Sequence, residues 1–366
     1  MKKIKAIISG GGTGGHIYPA IAIANKLRER VPGAEILFVG AEGKLEMQKV
    51  PEAGYKIVGL PIRGIQRKLT WSNLSFPFRL LKSLLLARKV VKDFKPDVAV
   101  GVGGYASGPL LHQASKSGVP ALIQEQNAFA GLTNKLLANK VAKVCVASLG
   151  MEKFFPAERI VLTGNPVRQD ILDVDGKREE ARKHFGLEKD SKTLLVLGGS
   201  LGALAINNAM LKHIKALDEQ GISVIWPTGK LYFERVKRTT ADMGLKNTLI
   251  VEYMKEMDLA YAASDVVLSR AGALSVSELC LVAKPTIFVP SPNVAEDHQT
   301  KNALALVKED AGLMLRDSEL SEKLLETVTG LFADEAKRKE LSANMKKLAK
   351  PNAADEIVDE ILKLVQ

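Results

Sequence analysis

Lys5-Ala-Ile-Ile-Ser-Gly-Gly-Gly-Thr-Gly-Gly-His16-Ile-Tyr-Pro-Ala-Ile-Ala-Ile-Ala24 reads as an apolar strand, a glycine-dense turn and an amphipathic helix. About 190 residues later Thr193-Leu-Leu-Val-Leu-Gly-Gly-Ser-Leu-Gly-Ala203 repeats the pattern and runs into a second apolar helix. Such a unit offers backbone N–H groups and the positive end of a helix to an anion. Two of them predict an α/β chain of two Rossmann-like domains whose parallel sheets face each other across a cleft. Two substrates can meet in such a cleft.

Between these units, strand-like runs recur at 4–9, 35–39, 97–102, 119–123 and 142–147, then at 193–197, 222–226, 248–252, 265–268 and 285–289. Helical patterns alternate with them, near 17–30, 77–93, 131–139, 203–219, 275–282 and 297–308, so the sheets are expected to be parallel. The weakest pattern lies at 164–192 and marks the boundary. We expect an N-terminal domain over 1–165 and a C-terminal domain over 166–350. A last helix in 351–366, set off by Pro351, is placed back on the first domain.

A length of 366 residues and a hydrophobic fraction of 46% suit two globular cores. No apolar run approaches the roughly 18 residues of a spanning helix, and no cleavage signal follows the basic start, so an intracellular location is expected. Cys145 and Cys280 read as buried small hydrophobes and not as a disulfide. The net charge of +11 is lopsided: residues 1–165 hold 24 basic against 10 acidic side chains. Between Glu52 and Asp93 there is no acid, while Arg63, Arg67, Lys68, Arg79, Lys82, Arg88, Lys89 and Lys92 alternate with Trp71, Phe76, Phe78, Leu81 and Leu85. That mixture predicts contact with an anionic membrane surface. No base-reading motif is visible, so nucleic acid is not expected.

The first glycine run is neither a dinucleotide fingerprint nor a Walker loop. His16, at the entrance of the helix, is a general base, a phosphate ligand or a cap. Gly101-Val-Gly-Gly-Tyr-Ala-Ser-Gly108 ends a strand and is expected to line the same crevice. Gln124-Glu-Gln-Asn127 follows another strand and reads as ligand-binding, with Glu125 the one nearby rival to His16 for proton transfer. In the second half, Gly198-Gly-Ser-Leu-Gly202 is expected to cradle a diphosphate. Ser269-Arg-Ala-Gly-Ala-Leu-Ser-Val-Ser-Glu278 would bring Arg270 and backbone donors to an anion. Glu278 either compensates the helix dipole or accepts two ribose hydroxyls. His298 and Gln299 suit a sugar. Scattered histidines speak against a metal site; Asp173-Val-Asp175 is of the kind that holds a divalent ion on a sugar diphosphate, but no strand precedes it and it reads as chance, so no metal and no cofactor are expected.

Gly11-Gly-Thr-Gly-Gly-His16, Gly103-Gly-Tyr-Ala-Ser-Gly-Pro109, Glu125-Gln-Asn127, Gly164-Asn-Pro-Val-Arg168, Gly198-Gly-Ser200, Ser269-Arg-Ala-Gly-Ala273 and His298-Gln-Thr-Lys-Asn-Ala303 together resemble the MurG family of bacterial glycosyltransferases, in glycosyltransferase family 28. The resemblance runs from about residue 4 to 360. It implies a GT-B fold and an inverting, metal-independent transfer of GlcNAc from UDP-GlcNAc to the 4-hydroxyl of the MurNAc of lipid I, giving lipid II in peptidoglycan synthesis. It implies an N-terminal acceptor and membrane domain and a C-terminal donor domain. The enzyme would be peripheral, on the cytoplasmic side of the cell membrane, with cell-wall and division proteins as possible partners. By position, the donor contacts implied are Thr13, Gly14, Gly15, Asn127, Arg168 and Ser200. Met254 would meet the uracil through its backbone, Ala273, Leu274, Ser275, Val276, Ser277 and Glu278 would hold diphosphate and ribose, and Gln299 the GlcNAc. His16 falls where the family's proposed base falls. Leu201 departs from the glutamine common in relatives, so a side-chain contact there is lost or replaced. The rivals are a GT-B synthase that glycosylates diacylglycerol, a UDP-GlcNAc 2-epimerase and a non-enzymatic membrane-binding protein.

Overall fold

Ile7 is buried on one face of strand β1 (Lys5–Ser9) and Ala6 and Ile8 on the other, the mark of a strand covered by helices on both sides. In the computed structural model this strand sits in a parallel sheet with β2 (Glu35–Ala41), β3 (Lys56–Leu60), β4 (Val98–Gly101), β5 (Ala121–Glu125), β6 (Lys143–Val146) and β7 (Ile160–Leu162). The order is β3-β2-β1-β4-β5-β6-β7, so the chain reverses its direction of growth between β1 and β4. The structure describes residues 3–64, 75–167, 171, 174–199, 201–294 and 297–366, without the side chain of Asp175.

This sheet belongs to a unit formed by Met1–Val167 and Asn352–Gln366. On the Ile7 face pack Ala87 and Val91 of the helix Phe76–Phe94 and Leu110, Leu111 and Ala114 of the helix Ser107–Lys116. On the other face pack Ile17, Ile23 and Leu27 of the helix Gly14–Arg30, with Ile357, Val358 and Ile361 of the C-terminal helix Ala353–Val365. These two helices also touch through Lys26 with Asp355 at 3.4 Å and Arg30 with Asp359 at 2.8 Å. Surface pairs of this kind add about 1 kcal/mol or less, so the buried apolar side chains do most of the holding.

The second unit, Arg168–Pro351, carries β8 (Lys192–Leu197), β9 (Ile222–Pro227), β10 (Thr248–Val251), β11 (Val266–Ser269), β12 (Thr286–Phe288) and β13 (Leu313–Met314). All pair in parallel in the order β10-β9-β8-β11-β12-β13, the Rossmann arrangement with its switch point between β8 and β11. One face is covered by Ile206, Met210 and Ile214 of the helix Leu204–Glu219 and by Leu324, Val328 and Leu331 of the helix Leu320–Ala333. The helix Arg178–His184 is tied to the sheet by buried Arg182. Its guanidinium donates to the carbonyls of Glu188, Lys189 and Ser191 and to Asp265, which also accepts the Thr193 N–H at 2.9 Å.

Each strand expected from apolar runs is present, within two residues or so at its ends. The short strands β3, β7 and β13 carried too few apolar residues to stand out. The first helix begins at Gly14 and not at 17, because Gly14, Gly15 and His16 form its first turn.

Candidate active site

The loop after β1 is locked by its neighbours. Thr13 is extended at φ −144° and caps no N–H with its side chain, and the helix begins at once with Gly14 and Gly15. Thr13 and Gly15 are exposed; the His16 and Ile17 N–H groups donate to the Thr13 carbonyl at 3.1 and 3.2 Å, so the N–H groups this helix start offers are those of Gly14 and Gly15. His16 bonds through Nδ1 to the carbonyl of Gly11 at 3.0 Å. A carbonyl only accepts, so Nδ1 carries the proton and Nε2 is the basic nitrogen of the neutral ring. The imidazole lies against Gly103, where φ is +98° and an added Cβ would come within 2.9 Å of Nε2. Gly104 meets the Gly11 carbonyl as closely, so the glycines of the two loops let them interlock.

Glu125 is buried at the end of β5, and four donors surround its carboxylate. They are the Asn127 N–H at 3.1 Å and amide at 3.4 Å, the Gly131 N–H at 3.0 Å and the Asn134 amide at 2.8 Å. These bonds engage both carboxylate oxygens and tie residues 127–134 to the end of β5, so Glu125 anchors this loop. The expected ligand role of the whole 124–127 run does not hold for Gln124 and Gln126. Both are buried and spend their groups internally: Gln124 donates to Asn165 at 2.9 Å and Gln126 to the Val102 carbonyl at 2.8 Å. Asn127 is the half-exposed member of the four.

In the second unit the loop after β8 turns on Gly199 at φ +85° and Gly202 at φ +78°, the latter pressed against the Thr228 carbonyl. Leu201 is 71% exposed on this loop. The loop after β11 leads through extended Gly272 into the helix Ala273–Val282, whose residues 273–278 are all half-exposed. Arg270, expected beside a bound anion, spends its guanidinium inside the fold instead. It is buried, donates to the Val289 carbonyl at 3.1 Å and forks onto Asp317. Glu278 lies in the second turn of its helix, beyond the reach of dipole compensation, and accepts from the Tyr261 hydroxyl at 3.2 Å. Asn302, on the helix His298–Val307, donates to the Ala271 carbonyl at 3.1 Å and so fixes this helix to the loop. Gln299 accepts the Ser291 N–H at 2.9 Å, and Met254 is buried in the turn after β10. Arg168 and Ser200 lie outside the described residues.

Residues 6–146 match the model of the glycosyltransferase family 28 N-terminal domain, and residues 193–357 that of its C-terminal domain. The UDP-N-acetylglucosamine--N-acetylmuramyl-(pentapeptide) pyrophosphoryl-undecaprenol N-acetylglucosamine transferase of Flavobacterium psychrophilum is 55% identical over 366 residues, covering 100% of this chain and 99% of its own. The transferase of the same name from Parabacteroides distasonis is also 55% identical, with the same coverage. The chain belongs to glycosyltransferase family 28. The crystal structure of Acinetobacter baumannii MurG, a solved relative, superposes with a TM-score of 0.79 at 29% identity over 98% of this chain and 99% of that one.

Within this family 28 chain, the described N-terminal unit brings His16, Thr13, Gly14 and Gly15 together at one loop, with Gly103 against the His16 ring. The second unit gathers 273–278 beside Asn302 and the start of the helix that carries Gln299. Sequence reasoning missed Glu46, a fully buried carboxylate that accepts the Gly12 N–H at 2.9 Å and the Ala41 N–H at 3.0 Å. The one hint was an acid at the head of a short helix.

Proposed function

We propose that this chain transfers N-acetylglucosamine from UDP-GlcNAc to the 4-hydroxyl of the MurNAc sugar of a lipid-linked acceptor, lipid I, with inversion. The observation that carries the reading is the 55% identity over the whole length to transferases of that name. His16 Nε2 takes the proton of the acceptor hydroxyl as its oxygen attacks the anomeric carbon, and the bond from that carbon to the UDP oxygen breaks. The leaving diphosphate takes up the negative charge, and backbone N–H groups of the glycine loop and of the helix start at Ala273 stabilise it. In this reading Thr13, Gly14, Gly15, Asn127, Arg168 and Ser200 contact the donor. Met254 meets the uracil through its backbone, and Ala273, Leu274, Ser275, Val276 and Ser277 line the diphosphate. Glu278, steadied by Tyr261, takes the ribose hydroxyls, and Gln299 the GlcNAc.

The reading extends to an anionic membrane surface. Phe78, Leu81 and Leu85 share one side of the helix Phe76–Phe94 and are 77%, 57% and 60% exposed, among exposed Lys82, Arg88, Lys89 and Lys92. Residues 65–74, with Arg67, Lys68 and Trp71, lie outside the described residues. No described helix is long and apolar enough to cross a membrane. Apolar side chains between cations suit shallow insertion among anionic headgroups. Such docking would bring the unit that carries His16 to an acceptor anchored in the bilayer. Cell-wall and division proteins are further partners this location would offer.

The test is transfer of labelled GlcNAc onto a lipid I analogue in the presence of EDTA, with product analysis. A single GlcNAc–MurNAc product at undiminished rate is expected. Conversion of donor without acceptor, transfer to diacylglycerol, or loss of activity to the chelator would each overturn a part of the reading.

A further inference from the structure

Glu46 is a buried acid that makes no ion pair among the described residues, and a buried carboxylate is costly unless its oxygens are bonded. Its two oxygens have separate partners. Oε1 accepts from Ala41, the last residue of β2, and Oε2 from Gly12 in the loop after β1. Gly11 lies directly on the carboxylate, so closely that an added Cβ would stand 2.1 Å from Oε1. The carbonyl of that same Gly11 receives the Nδ1 proton of His16.

We infer that Glu46 is a positioning residue for the transfer reaction: it clamps Gly11–Gly12 to the end of β2, and the clamped Gly11 carbonyl selects the His16 tautomer with Nε2 basic. The inference rests on His16 acting as the base. The clamp has a rigid side and a soft side. Ala41 is held in the sheet by pairing of β2 with β3, whereas Gly12, at φ +88°, belongs to a loop. Loss of one acceptor therefore moves the loop and not the strand.

Glu46→Gln keeps the volume and leaves one acceptor oxygen, which the fixed Ala41 N–H captures; Gly12 then faces an NH2 group. Labelling the histidines with 15N and assigning His16 by difference from His16→Ala reads the tautomer without any substrate. The parent protein is expected to show a protonated Nδ1 and an unprotonated Nε2. In Glu46→Gln we expect the two nitrogen shifts to move together toward a mixed tautomer. We also expect kcat to fall about 10- to 100-fold, as small misplacements of a catalytic group do, with KM for UDP-GlcNAc within about 2-fold. Glu46→Asp retains both oxygens one methylene farther off and is the second variant should the amide not fold; its shifts and kcat are expected between the two. Unchanged His16 shifts in the folded variants overturn the inference. Shifted tautomers with unchanged kcat support the clamp and overturn the assignment of His16 as base, so the two failures are told apart.

Discussion

The glycine loop after β1 and the one after β8 start from the same design and end as different tools. The first is gripped from below by Glu46 and from the side by Gly103 and Gly104, and it delivers one side chain, His16, in one tautomer. The second turns on Gly199 and Gly202, the latter pressed against the Thr228 carbonyl, and it leaves Leu201 in solvent. A loop that must aim an imidazole needs its carbonyls fixed. A loop that offers N–H groups to a diphosphate, as we propose for the second, needs room for backbone to approach.

The sharpest way to break this contrast is His16→Ala. We expect turnover to fall about 100-fold or more while UDP-GlcNAc affinity, measured by calorimetry, stays within about 2-fold. Lost donor binding with normal residual turnover would make His16 a ligand and the two loops alike. Glu125→Gln should act next in size. One of its donors would face an NH2 group, so the 127–131 loop loosens, kcat drops about 10-fold and stability falls by about 1–3 kcal/mol in denaturant titration. On the donor side, Glu278→Ala should weaken UDP affinity about 10-fold, the loss of charge-assisted bonds to ribose, and leave the His16 tautomer untouched. Replacing Phe78, Leu81 and Leu85 with Ser should abolish sedimentation with anionic vesicles and barely change transfer to a water-soluble acceptor analogue.

The smallest catalytic effect concerns the thiols. Burial pushes Cys145 and Cys280 up to about 12, so both should resist alkylation at pH 8 in the folded protein. Because the folded-state values lie above the unfolded one, their contribution to stability is intact below about pH 8.5 and is lost as pH rises toward 12. A melting temperature that holds across pH 9–11 would contradict this.

Much of the candidate site was legible because its signals are local. Gly10–His16 and 198–202 announce strand, turn and helix within some fifteen residues, and backbone sterics leave few other uses for such glycines. Polar residues at strand ends were legible as important but not as to role. Gln124 and Gln126 resemble ligands until Asn165 and the Val102 carbonyl are brought to them, and Arg270 resembles an anion clamp until Asp317, 47 residues on, arrives.

The sequence by itself determined the two Rossmann-like units, the bias of basic charge toward the first, and the identity of the glycine loops. Each follows from periodicity or from the conformational freedom of a single residue type. Only the tertiary structure decided which polar groups serve the fold. Glu46 reaching Gly12, Gln124 reaching Asn165 and the C-terminal helix covering the sheet through Ile357 and Ile361 are contacts between distant segments. Their energy exists only when burial removes water as the competing partner, and a short stretch of chain read alone does not contain that condition.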